Sequence, residues 1–321
     1  MRVIKYLGVI GLAIFTYILW ATGPEKILQN FLGLDPFFLL LTVFVLVVTI
    51  LFKAYKQTLL VNAFGAKFGL VDSAKIWLIG FFFATITPGK SGDFIKSFYI
   101  SEKTSLPLGK CLTSVVVERF FDVLVLFILG FSGIVFLSSS IVFHVDLILP
   151  LGLFFLTFLA LVWLFTRKGF LRFAMKPFFN YLVPERFRHK LRISFHQFFE
   201  GLSVYKSKKF LMLWVFLLTI LLWFFAVAQY FLIAFSLHAM IPFFFLLAIM
   251  PLVELLSILP ISFSGIGTRE ASLVFFLSLL AIDANTAVSF SLLIFFFAIA
   301  LGLVGFIFLS GEKRLGILGE S

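Results

Sequence analysis

Long, nearly uninterrupted apolar runs separated by short polar stretches dominate this chain. They show neither the two-residue alternation of a half-buried strand nor the one-sided stripe of a water-facing helix. About 20 apolar residues suffice to cross a bilayer as a helix. Runs of that length lie at about 4–21, 35–53, 111–137, 147–166, 210–237 and 286–309. Two further apolar regions do not fit a simple span. In 76–100, the stretch WLIGFFFATI is too short and runs into TPGKSGD; in 242–282, two apolar stretches flank LPISFSGIGTRE. The pattern predicts an all-α fold: a polytopic transmembrane helix bundle of about 6–8 spans, with two interrupted or re-entrant segments, in one integral membrane domain over 1–321.

The basic residues orient this bundle, because Lys and Arg concentrate in cytoplasmic loops. The polar stretch 167–209 holds Arg167, Lys168, Arg172, Lys176, Arg186, Arg188, Lys190, Arg192, Lys206, Lys208 and Lys209 against only Glu185 and Glu200. It reads as a basic cytoplasmic loop. The recurring Phe residues in it allow amphipathic helices on the inner leaflet, and a solvated loop is the plain alternative. Counting outward, the N-terminus (Arg2, Lys5), the stretch 53–75 (Lys53, Lys56, Lys67, Lys75) and the tail (Lys313, Arg314) also fall in the cytoplasm. The count closes only if 76–100 enters and leaves on the cytoplasmic side and 242–282 on the outer side. Non-helical backbone at membrane depth survives only inside protein or along a wet cavity. Two interrupted hairpins from opposite faces point to a transporter-type site, and the pattern admits an inverted repeat. The first twenty residues have the basic start and apolar stretch of a signal peptide. The following ATGPEK is a poor cleavage region, so an uncleaved first helix is expected.

Composition supports a lipid-solvated chain: 62% of residues are hydrophobic, 13% are charged and 49 are Phe. A water-soluble domain carries about 25% charge. The net charge of +11 sits mainly in short segments between apolar runs, which suits anionic lipid rather than nucleic acid. The lone Cys111 excludes an internal disulfide and a cysteine metal cluster. The four histidines, His144, His189, His196 and His238, have no ligand spacing. No metal and no cofactor are expected.

Three polar segments carry candidate chemistry. In Thr87-Pro88-Gly89-Lys90-Ser91-Gly92-Asp93, followed by Lys96, the proline stops a helix and the glycines permit a tight turn. Lys90 and Lys96 suit a lipid phosphate, and Asp93 suits a helix cap or a lysine partner; an ordinary interfacial loop is the alternative. Ala84 to Ser91 mimics a phosphate-binding loop, but the first glycine is missing and the βαβ context is absent. Glu118, Arg119 and Asp122 lie in an apolar span, where ionisable groups are costly and mark function or a structural ion pair. In the third, Pro260, Ser262, Gly265, Gly267, Arg269 and Glu270 surround a second break, with Glu254 upstream. A helix starting near Thr268 would offer amides to an anion, and Arg269 a bidentate grip. An internal salt bridge at a helix break is the alternative.

TPGKSGDFIKSFYI, VVVERFFDVLVL and LPISFSGIGTREASLV, in that order, resemble the motifs of the flippase-like transmembrane family named for the membrane domain of lysylphosphatidylglycerol synthase. The resemblance covers about residues 5–310. It implies a bundle with interrupted helices that moves or handles polar lipids such as aminoacylated phosphatidylglycerol or polyprenol- and hopanoid-linked lipids. In the fused synthases a separate C-terminal soluble domain performs aminoacyl transfer. This chain ends at Ser321 shortly after its last span, so it is expected not to be an enzyme. The leading expectation is a lipid translocase of the cell inner membrane. Lys90, Lys96 and Arg269 would meet the headgroup phosphate; Glu118, Asp122, Glu254 and Glu270 would balance charge. The alternatives are a secondary transporter of a small anion and a membrane partner of a lipid-modifying enzyme. A metal-dependent membrane transferase would want clustered acids that this sequence lacks.

Overall fold

The computed structural model describes residues 15–18, 20–140, 152, 156, 185–258 and 265–311. Among them every element is helical: α1 (Pro24–Leu32), α2 (Pro36–Asn62), α3 (Leu70–Ile86), a 3-10 helix (Pro88–Ile95), α4 (Lys96–Thr104), α5 (Leu108–Ser140), α6 (Glu185–Ser207), α7 (Lys209–Ser236), α8 (Phe243–Ile258), α9 (Thr268–Ser278) and α10 (Ala284–Gly311). Most of the expected spans 4–21 and 147–166, residues 167–184 of the basic stretch, and Pro260 and Ser262 lie outside the described residues.

Helices α2, α5, α7 and α10 are long and apolar enough to cross a membrane, and they match four of the six runs read from the sequence. At 1.5 Å per residue, the 27 residues of α2 and the 28 of α7 each reach about 40 Å, more than the ~30 Å hydrocarbon layer. Local signals set their starts. The Asp35 side chain accepts a hydrogen bond from the Phe37 amide at 2.9 Å, with Pro36 in the first turn of α2. Asp283 accepts from the Thr286 amide at 3.0 Å and its hydroxyl at 2.7 Å ahead of α10. Partial burial opposes ionisation of Asp283, but these bonds outweigh it and hold its carboxyl below the ordinary range.

Polarity is distributed opposite to that of a water-soluble protein. Phe37, Leu40, Phe44, Val47 and Leu51 recur every three or four residues along α2 and are exposed, as are Phe210, Leu213, Trp214, Leu217 and Leu221 on α7. Lys56, Lys96, Asp93, Glu118, Arg269 and Glu270 are buried. An apolar exterior over a charged interior is stable only where lipid replaces water, so this is a multi-pass membrane protein.

The short segments are two hairpins. The 17 residues of α3 and the 16 of α8 reach only about 24–26 Å, and the 11 of α9 about 17 Å. After α3 the chain doubles back. A side chain on Gly92 would strike the Phe83 carbonyl, and one on Gly80 would strike the Lys96 side chain, so 92–96 retraces 83–80. The Thr87 hydroxyl ties the bend, accepting from the Gly92 amide and donating to the Phe83 carbonyl, both at 2.7 Å. In the second hairpin Gly265, at φ 79°, packs on Ser257.

The two halves repeat one plan: a long helix, a short helix, a break, a shorter helix, and a long helix. α2, α3, α4 and α5 correspond in order to α7, α8, α9 and α10. The partners are exchanged between halves. On α5, Gly130 meets Leu252 and Gly133 meets the Ala248 backbone of α8; on α10, Gly302 meets Thr85 and Gly305 meets the Leu78 carbonyl of α3. In both pairs the helices run antiparallel, and a G-x-x-G step lets the backbones approach. Each hairpin thus leans on the last long helix of the other half. The main core lies among α5, α7, α8, α9 and α10, around Leu137, Val227, Ile249, Leu273 and Phe290. A second lies among α2, α3, α4 and α5, around Val61, Ile79, Ile100 and Val115.

The described part of the basic stretch, α6, is a helix docked on protein. Thr113 donates to the Phe198 carbonyl at 3.0 Å, and Tyr205 donates to the Leu60 carbonyl at 2.8 Å. A side chain on Gly109 would strike the Ser194 carbonyl, so α6 lies directly against the start of α5.

Candidate functional site

The polar residues singled out in the sequence form three groups, which the hairpins bring to the interior. The first joins the hairpin 70–104 to α5 and α2. The buried Lys96 ammonium lies 2.9 Å from Asp93 Oδ2 and 2.8 Å from Glu118 Oε2. Arg119 donates from Nε to Asp93 Oδ2 at 2.6 Å, and its fork reaches Asp122 at 3.7 Å. Asp122 accepts from the Lys56 ammonium at 2.5 Å, and Lys56 also reaches the Thr219 hydroxyl of α7 at 3.4 Å. The result is an alternating chain: Glu118, Lys96, Asp93, Arg119, Asp122, Lys56. Its charges cancel in pairs, which is what makes ions this deep tolerable. Lys53, one turn before Lys56, holds its ammonium 4.9 Å from the Trp77 ring centroid.

Helix spacing gathers these groups on α5, and tertiary packing selects their partners. Glu118 and Asp122 are four residues apart on α5, but they serve different neighbours, Lys96 and Lys56. The chief partner of Arg119 is Asp93 on the hairpin, rather than Asp122 on its own helix.

The second group joins the two hairpins to each other. Lys90, from the first break, pairs with Glu254 of α8 at 2.9 Å. The Tyr230 hydroxyl on α7 donates to the other oxygen of Glu254 at 3.4 Å. Lys90 adopts φ 55°, a left-handed conformation that a side chain enters at a cost and that aims it across the break. Its side chain is 42% exposed, so Lys90 is the most open cation of these three groups.

The third group closes the second hairpin onto α10. Arg269 meets Glu270 at 3.2 Å and donates from Nε to Ser291 Oγ at 2.9 Å. Ser291 donates to the same Glu270 oxygen at 2.6 Å, and the other oxygen accepts from the Gly267 amide at 2.6 Å. Gly267 stands at φ 85°, where a residue with a Cβ is strained, and begins α9. Arg269 also lies 5.2 Å from the Phe295 ring centroid. The pairing of charges onto the next long helix repeats between halves. Lys96 and Glu118 stand 22 residues apart, as do Arg269 and Ser291. Where the first half offers a carboxylate, the second offers a hydroxyl. Lys96 is therefore held by two acids and Arg269 by one.

Of the sequence-derived candidates, Asp93, Lys96, Glu118, Arg119 and Asp122 share one network, Lys90 and Glu254 lie at the meeting of the hairpins, and Arg269 and Glu270 close the second hairpin onto α10. Thr87, Gly92, Gly265 and Gly267 shape the bends, and Pro88 opens the 3-10 helix. Gly89 lies within that helix. In the sequence Lys56 only helps to orient the chain, and Tyr230 and Ser291 do not stand out. Lys53, Lys56 and Gln57, gathered within five residues of an otherwise apolar helix, are the available signal for Lys56; a Tyr or Ser in an apolar run carries none.

The signature of the lysylphosphatidylglycerol synthase TM region matches residues 8–305. Over 213 residues the chain is 24% identical to a UPF0104 membrane protein of Methanocaldococcus jannaschii, a match covering 62% of this chain. It spans 60% of that relative's length. No solved structure shows a significant match.

Proposed function

Because this chain belongs to the lysylphosphatidylglycerol synthase transmembrane-region family, we propose that it is a lipid translocase, which moves a polar phospholipid across the cytoplasmic membrane without chemical change. The observation that carries the reading is the Lys90–Glu254 pair, at 2.9 Å, which joins the two broken hairpins inside an apolar shell. A headgroup crossing a bilayer needs a polar path, and broken helices supply one only where protein encloses them. Lys90 is half-exposed, which leaves its ammonium accessible to a phosphate, and Arg269 presents a planar fork with a single carboxylate partner. Lys96 is fully enclosed between Asp93 and Glu118, so we assign it, with Arg119, Asp122 and Lys56, to the frame that holds the hairpin. The termini and 167–209 face the cytoplasm in this reading, and the energy is a lipid or ion gradient.

The test is headgroup movement in proteoliposomes carrying headgroup-labelled phospholipid, read by quenching with a membrane-impermeant reductant. The active protein should expose well over half of the label. Arg269→Ala should slow exchange by roughly 10- to 100-fold, the scale of one charge-assisted hydrogen bond, in protein that still inserts and stays monodisperse. Quenching that stops at half for the unaltered protein, with small-anion uptake in the same vesicles, would replace the lipid by a soluble anion.

A further inference from the structure

The proposed translocation leaves open what happens to Glu254 when an anion arrives. Glu254 is the one ionisable side chain in α8, FFFLLAIMPLVELLSI. Among the described residues, the elements packed most closely on that helix are the 3-10 helix, α5, α7 and α9. The 3-10 helix supplies Lys90, α7 supplies Tyr230, and α9 supplies Arg269, whose hydrogen bonds go to Glu270 and Ser291. The face of α5 on α8 is Gly130 and Gly133; its Glu118, Arg119 and Asp122 are committed to Lys96, Asp93 and Lys56. The remaining charged group of the 3-10 helix, Asp93, is held by Lys96 and Arg119. Lys90 is thus the direct cationic partner of Glu254.

We propose that the Lys90–Glu254 pair is an exchange site: a phosphodiester takes the place of Glu254 on Lys90, and the released Glu254 carboxylate binds one proton from solution. This deepens the translocase reading and rests on it. The anion and the carboxylate compete for one ammonium. An ionised Glu254 without Lys90 would sit beside an incoming phosphate with only a tyrosine hydroxyl as close partner, in an apolar helix. Burying that unpaired charge beside a like charge is strongly unfavourable, and protonation removes the problem. The proton comes from water reaching the pair along the exposed Lys90 side chain, and it returns when the lipid leaves and the ion pair re-forms. No bond other than O–H is made or broken. Anion entry and proton uptake become one event, so a pH gradient can drive lipid movement.

The sign follows from linkage. If binding takes up one proton, affinity for a phosphodiester falls by up to about tenfold for each unit rise in pH while Glu254 is ionised in the empty protein. The phosphodiester itself stays ionised near neutrality and contributes no proton change.

The experiment is calorimetric titration of the full chain in detergent, near neutral pH, in two buffers of different ionisation enthalpy. The probes are dihexanoylphosphatidylglycerol and its deacylated headgroup, glycerophosphoglycerol. Buffer-dependent heats should report uptake of about one proton per probe bound. The lipid alone giving this signal identifies a lipid headgroup as the source of the phosphate; the deacylated headgroup giving it equally identifies a soluble anion. Glu254→Gln should bind with no proton uptake, little pH dependence, and higher affinity at alkaline pH, because Lys90 loses its competitor. The result on the unaltered protein is decisive even if that variant does not fold. Binding without proton uptake would overturn the exchange and leave the translocase reading standing. Binding of neither probe would overturn both.

Discussion

Lys96→Ala should destabilise the protein by about 3–5 kcal/mol, the cost of leaving buried charge without its partner. The Lys96 ammonium is completely enclosed, with Asp93 and Glu118 both within 2.9 Å. Removing it leaves Glu118 facing a void at the base of α4. Asp93 keeps Arg119, at 2.6 Å, so the damage centres on the glutamate. In a thermal melt in mild detergent this amounts to a drop on the order of 10 °C. Lys96→Met combined with Glu118→Gln removes both charges while keeping volume, and should recover much of the loss. A single variant that melts with the unaltered protein would show that the pair is hydrated and not part of the frame. The same pair of variants separates frame from path: the double variant should still move lipid, because neither residue touches the Lys90–Glu254 junction.

Replacing Gly133 or Gly305 should be nearly as damaging, for a different reason. A Cβ on Gly133 meets the Ala248 backbone, and one on Gly305 meets the Leu78 carbonyl. Backbone in a packed helix cannot move aside as a flexible side chain can, so the long helices must separate from the hairpins. Gly133→Ala and Gly305→Ala should each cost about 1–3 kcal/mol by overpacking, and valine at either place should cost more. Gly311→Ala is the control, because nothing lies within 4 Å of that position. Transport should fall with stability at the first two sites, since α3 leads into the bend that carries Lys90 and α8 carries Glu254. Equal behaviour of all three alanine variants would contradict the crossed packing of the halves.

The exchange of partners also explains why charges can be built into this interior. Each hairpin is too short to satisfy itself and is enclosed by helices from both halves. In the first half, Glu118 and Asp93 neutralise Lys96; in the second, Ser291 stands where Glu118 would be. A serine bonds an arginine without cancelling its charge. Of Lys96 and Arg269, Arg269 is therefore the less neutralised, and it shares the second hairpin with Glu254. This asymmetry between two otherwise similar halves is what a binding site needs and a frame does not.

Much of the architecture was legible from pattern alone. Lipid as solvent follows from apolar runs longer than any water-facing helix can carry, and α2, α5, α7 and α10 follow from run length. The breaks at Thr87–Asp93 and ahead of Thr268 follow from proline and glycine set among polar residues inside apolar stretches. The helical state of α6 was one of two readings, because a basic, Phe-rich segment satisfies either.

The sequence by itself determined the class of solvent, the long helices and the places where helices stop, because these depend on composition and on near neighbours along the chain. Only the tertiary structure decided the pairings. Nothing local says that Arg119 serves Asp93 before Asp122, that Lys56 belongs to the buried chain, or that Lys90 crosses to Glu254, 164 residues away. An ion buried in an apolar medium takes the nearest counter-charge in space, and which one is nearest was set by the crossing of two hairpins over G-x-x-G steps.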